Sequence, residues 1–177
     1  LRGTQGLLWG ADAGGVIALT SRRGTDKPSL KFRSERGGYG FETESLAVST
    51  GATSMGAMTA VLNQAKTDGL NSQLSDTELL DRDGYTNDSV HVTYMTPEWR
   101  GWSATVTKRD VDASSDYDGC GRFDDSFNFV SSNNCSDGYE NENQGVFVAH
   151  RGTEHQTQIR WSESDSYRSY HTDDLFQ

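Results

Sequence analysis

Seven stretches of this chain alternate apolar and polar residues with a period of two, and none carries the longer apolar period of an amphipathic helix. Ser29 to Arg36 sets Leu30 and Phe32 against Lys31 and Arg33, and Glu42 to Thr50 places Leu46 and Val48 on one face. Ala57 to Lys66 continues the pattern, and Ser89 to Met95 aligns Val90, Val92 and Tyr94. Gly101 to Arg109 aligns Trp102, Ala104 and Val106, and Gly145 to His150 and Thr157 to Ser162 complete the set. A chain patterned this way is predicted to be all-β and antiparallel. Its apolar residues amount to only 33%, with 19 glycines, two prolines and a net charge of -10. That is a thin supply for a conventional core. Disorder shares this composition, but 10% aromatic residues and the repeated alternation oppose it.

The connections between these stretches are of two kinds, which alternate. GATSMG, TPEWRG and RGTEH are short turns, whereas TDGLNSQLSDTELLDRDGY and DVDASSDYDGCGRFDDSFNFVSSNNCSDGYENEN are long and polar. Short turns at one end and long loops at the other is the build of outer-membrane barrels, whose strands carry only alternating hydrophobicity. Trp99 and Trp102 flank one short turn, where an interfacial aromatic girdle would lie. A soluble sandwich with ordinary hairpin tryptophans is the other reading of the same pattern. The acidic balance leaves no basic stripe to neutralise phosphates, which argues against a nucleic-acid partner. Cys120 and Cys135 share one polar segment with no third cysteine or histidine at ligand spacing, so a local disulfide is expected rather than a zinc site. Two buried free thiols fit less well beside Asn133, Asn134, Ser136 and Asp137. His91, His150, His155 and His171 are scattered and no serine sits in a nucleophile elbow, so no enzyme is expected.

The opening stretch, LRGTQGLLWGADAGGVIALTSRRG, resembles the end of the plug domain of TonB-dependent outer-membrane receptors. Arg2, Gly3, Gly10, Ala13, Gly14, Gly15, Val16 and Ile17 match the family pattern, with Trp9 in place of its usual tyrosine. The resemblance implies that residues 1–26 are the tail of a plug and that 27–177 are the first strands and outer loops of a transmembrane β-barrel. Barrels of this family have 22 strands; about seven would be a partial barrel, so the chain is expected to be a fragment. It also implies an outer-membrane location, lipid on the outer face, TonB as partner through the earlier plug, and a scarce nutrient as ligand. KTDGLN, LLDRDGY, WRGWSATV, SSDYDG and CSDGYENENQ run in the order found in the cobalamin branch. Siderophore or saccharide import is the alternative within the family, and a calcium-binding β-sandwich adhesion module is the alternative outside it.

Calcium is the expected cofactor. It takes roughly six to eight oxygen ligands, and Asp81 and Asp83 in DRDG lie one residue apart with Gly84 to turn the chain. An EF-hand is excluded, because Thr86 and Val92 stand where its glycine and glutamate belong. The resemblance assigns the remaining ligands to Asp118 in DYDG and Asp137 in CSDG, with Asn71 in place of a further acidic ligand. Ordinary Asp-Gly turns on a solvated loop are the competing reading.

Overall fold

The computed structural model describes residues 27–71, 82–132 and 135–172. The expected plug tail, 1–26, lies outside these. Seven strands form one antiparallel sheet: β1 (Ser29–Arg36), β2 (Glu42–Ser49), β3 (Ala57–Thr67), β4 (Tyr85–Met95), β5 (Trp102–Tyr117), β8 (Cys135–Arg151) and β9 (Gln156–Thr172). They lie in the order β1-β2-β3-β4-β5-β8-β9, so each pairs with its neighbour in the chain except where a small hairpin intervenes. That hairpin, β6 (Cys120–Phe123) with β7 (Phe129–Ser132), sits between β5 and β8. No helix occurs among the described residues.

Antiparallel connectivity sorts the connections by end. The segments 50–56, 96–101 and 152–155 fall at one end, and 37–41, 68–84 and 118–134 at the other. The short turns are tightly closed. Thr53 and Gly56 exchange backbone hydrogen bonds at 3.0 Å, and Trp99 and Trp102 do so at 2.9 Å. Gly56 has a φ of +109°, and a Cβ there would run into the Met95 carbonyl, so this turn requires glycine.

Directly paired residues share a face, so the register divides the sheet into two surfaces. One carries Leu30, Phe32, Leu46, Val48, Met58, Leu62, Val90, Val92, Tyr94, Trp102, Val106, Val146, Val148, Ile159 and Trp161, all toward the turn end. The other carries, at the same level, Lys31, Ser45, Thr59, Asn63, His91, Thr93, Thr105, Thr107, Asn143 and Arg160, with Ala47, Val61, Met95 and Phe147 as its apolar minority. The edge of the apolar band follows one hydrogen-bonded row across β1 to β4, through Phe32, Leu46, Leu62 and Val90, and another across β5, β8 and β9, through Val106, Val146 and Trp161, with a single step between β4 and β5. On β4 it reaches Val90, whose partner is Asp110, whereas on β5 it stops at Val106, whose partner is Tyr94. The boundary therefore drops by four residues between these two strands.

Nothing described covers the band. Leu30 is 70% exposed, Phe32 65% and Ile159 62%, and among the described residues no large side chain is fully buried. Only Ser49, Gly51, Gly56, Ala113 and Cys135 are buried among the described residues.

The seven expected strands all occur, but three are much longer than their alternation indicated. β5 continues to Tyr117, β8 begins at Cys135 rather than Gly145, and β9 continues to Thr172. Much of the second long segment is thus strand rather than loop, and it also holds the β6–β7 hairpin. Past the apolar band both faces are polar, so period-two hydrophobicity vanishes although the backbone ladder continues.

Candidate functional site

The candidate residues gather at the loop end of the sheet. Asp83 follows Arg82, whose Nη1 lies 3.3 Å from Asp68 Oδ2. The Asp83 amide donates to the Leu70 carbonyl at 3.2 Å, and the Gly84 carbonyl accepts from the Asp116 amide at 2.9 Å. The Gly84 contact stitches the DRDG segment to the end of β5. A cavity of about 400 Å³ lies here, lined in part by Lys66, Asp68, Arg82, Tyr85 and Asp116. Asp118 lies two residues beyond Asp116, half-buried, with its Oδ1 shielded from solvent. Asn71, also half-buried, follows Leu70 on the facing connection. Asp81 lies outside the described residues.

Cys120 and Cys135 form a disulfide with Cα atoms 6.4 Å apart. It ties the start of the β6–β7 hairpin to the start of β8 and closes a loop of sequence separation 15, which stabilises by about 3 kcal/mol in the chain-entropy model. At the tip of the hairpin, Asp124 Oδ1 accepts from the amides of Ser126 and Asn128, both at 2.8 Å. These bonds, that from Asn128 foremost, hold its carboxyl below the ordinary range. They define a turn in which Phe127 adopts a φ of +61°, and Phe123 and Phe129 meet edge to face at 5.6 Å.

Asp137 belongs to a different network. Its Oδ2 accepts from Arg168 Nε at 2.8 Å and from Nη2 of the same guanidinium, while Oδ1 accepts from Ser115 Oγ at 3.1 Å. The Arg168 hydrogen bonds hold its carboxyl below the usual carboxylate range, with Ser115 adding to the effect. The side chain is only 14% exposed. A cation approaching Asp137 would compete with a guanidinium already in place. Among the described residues, no group of three or more His, Cys, Asp and Glu side chains is arranged to hold a metal. The structure thus brings Gly84 against the end of β5 and commits Asp137 to Arg168.

A second concavity, which sequence reasoning did not single out, opens on the polar face between β4, β5 and β8. It holds about 420 Å³. Ala113 and Ser115 form a low floor, Tyr85 and Tyr139 rise beside it, and Asn87 and Asn141 flank them. The signal was present in YENEN: period two puts Tyr139, Asn141 and Asn143 on this face and Glu140 and Glu142 on the other.

No protein family, curated protein or solved structure matches this chain. The functional reading therefore rests on the chain's own chemistry. Tyrosine rings and amides on a shallow floor suit a ligand with both apolar faces and hydrogen-bonding edges.

Proposed function

We propose that this sheet is part of the wall of a TonB-dependent outer-membrane receptor, with its short turns toward the periplasm and its long connections outside the cell. The observation that carries the reading is the apolar band: it lies on one face only, near the turns, with polar residues behind it on the same strands. Transmembrane barrels need that apolar-out, polar-in arrangement. Because barrel strands tilt against the membrane normal, a lipid belt must shift along the strands as it passes around the sheet, and this band shifts once, by four residues between β4 and β5. It is about five residues tall on β3, β4 and β5, about 16 Å along the strand, and about three on β8 and β9, against roughly nine to eleven residues for a spanning strand. Met55 and Trp99, both well exposed, extend it into the turns.

In this reading the polar face looks into the lumen, where the nutrient passes and the plug sits, and TonB acts through the plug. A cobalamin-type ligand is the first choice, with a siderophore or saccharide next. Calcium at Asp83 and Asp118, with Asp81 and Asn71 beside them, would order the outer connections. Asp137 would join only on release from Arg168. Calcium should then protect both connections from protease, and Asp81→Ala with Asp83→Ala should abolish that protection.

The reading is tested by single introduced cysteines. Both native cysteines are in the disulfide, so a new thiol is unique. In outer membranes, thiols at 92 and 106 should react with a membrane-soluble maleimide and resist a charged one, and thiols at 93 and 105 should show the reverse. An adhesion sandwich would shield 92 and 106 from both reagents beneath a second sheet, and that result would overturn the receptor reading.

A further inference from the structure

We infer that His150 and His155 form a two-nitrogen site for a divalent late first-row transition metal, with Cu(II) and Zn(II) as the expected occupants, at the turn end of the sheet. The inference does not depend on closure of a barrel.

Two neighbouring turns build the site. The turn at 96–101 leads into β5, and that at 152–155 leads from β8 into β9. The Arg151 amide donates to the Gly101 carbonyl at 2.8 Å, and the Gly152 amide donates to the His155 carbonyl at 2.9 Å. These bonds hold the two turns side by side and fold His155 back toward the end of β8. The imidazoles of His150 and His155 then stand with ring centroids 6.1 Å apart.

The nitrogens are placed by the glycines beneath them. A Cβ built on Gly101 would lie 3.4 Å from His150 Nε2, and one built on Gly152 would lie 3.5 Å from His155 Nε2. Each Nε2 therefore overhangs a residue without a side chain, and the two residues are on adjoining backbone. Trp102 lies directly across from His150 in the register and its ring packs at a tilt against the imidazole, centroids 4.5 Å apart, which restricts that ring's rotation. Arg100, the nearest cation in the first turn, is drawn over the Trp99 ring at 4.8 Å.

The dimensions suit a metal. With metal–nitrogen bonds of about 2.0–2.1 Å, two imidazoles at a metal angle of about 90–110° have centroids roughly 4.5–5.3 Å apart. Closing the observed separation takes about 1 Å, which rotation of the exposed His155 side chain supplies. Neutral imidazole pairs favour Cu(II) and Zn(II), and Cu(II) binds most tightly in the first-row series. Water completes the coordination shell, since two protein ligands leave it open.

The adjacent Trp102 reports occupancy, because Cu(II) held against His150 quenches its emission. Titration of the intact chain in detergent micelles with Cu(II) should quench a saturable part of the tryptophan emission at one equivalent. Zn(II) should compete, at least tenfold more weakly. His155→Ala, in an exposed turn, should lower the Cu(II) affinity at least tenfold, and His91→Ala should leave it unchanged. Saturable quenching that persists in His155→Ala, or quenching that never saturates, would overturn the site.

Discussion

The two halves of this sheet are made of the same strands and obey different rules. Near the turns the faces differ in kind: Val92, Val106 and Val146 project on one side, and Thr93, Thr105 and Thr107 on the other. Near the loops both faces are polar but differ in charge. The face that bears the apolar band collects Asp88, Asp110, Asp112, Glu140, Glu142 and Asp165 around a basin of about 550 Å³. The opposite face there carries Arg109, Arg168, tyrosines and asparagines. The turn half is specified by what each face must touch. The loop half is specified by pairing along the ladder, with cross-strand contacts such as Lys108 to Glu142 at 2.8 Å.

The sharpest way to break this contrast is to move a charge between faces. At the level of a lipid belt, Val92→Arg should destabilise by about 2–4 kcal/mol, whereas Thr93→Arg, one residue away on the polar face, should fall within about 0.5 kcal/mol of the parent. Urea unfolding in lipid vesicles compares the two, and equal costs would erase the distinction between faces. Next comes the staple of the loop half. Cys120→Ser with Cys135→Ser should lower stability by about 3 kcal/mol and open the β6–β7 hairpin to protease, leaving the turn half protected. Cleavage spread evenly over both halves would deny the separation.

A smaller effect follows from Asp137. Its carboxyl titrates in the folded chain below the unfolded value of about 3.9, because Arg168 favours the charged form. The stabilisation is present above the unfolded value and is lost as pH falls through the folded one. Asp137→Asn should therefore weaken the chain at neutral pH, and the difference should begin to shrink below about pH 4 and vanish once pH has fallen through the folded value; parallel pH curves would contradict this. The smallest effect concerns like charges. Asp112 stands opposite Asp88 on one side and Glu140 on the other. Asp112→Asn should stabilise by roughly 0.2–1 kcal/mol, and 1 M salt should shrink the gain, since screening then acts within about 3 Å.

What was legible in the sequence follows the same division. Leu30 with Phe32, Val90 with Val92 and Trp102 with Val106 announced their strands because one face must be apolar. KRDVDASSDY and SESDSYRSYHT announced nothing, since a strand with two wet faces has no hydrophobic period to read. Pairing of β5 with β8 over sixteen register positions overrides that silence. The disulfide was legible from composition, because two cysteines in a polar segment have few other uses. The calcium set was legible only as residue types. Sequence could not show that Arg168, thirty-one positions from Asp137, would reach its carboxylate, because cross-strand partners depend on a register fixed by the whole sheet. The histidine pair was hidden for a similar reason: His150 and His155 looked scattered until two turns were hydrogen-bonded side by side.

The strand order carries a consequence for how the chain assembles. With each strand laid against the one made just before it, the sheet can grow by successive hairpins, most of them closing a short turn, and because closure entropy rises slowly with length the longer connection 68–84 adds only a modest cost. Local order of this kind favours rapid formation for an all-β chain. The β5–β8 pairing is the one place where growth must wait, because β6 and β7 intervene. Oxidation of Cys120 and Cys135 shortens that wait by tethering β8 near the Tyr117 end of its partner. The bond that staples the finished loop half therefore also sets the pace at which β9 gains an edge to join.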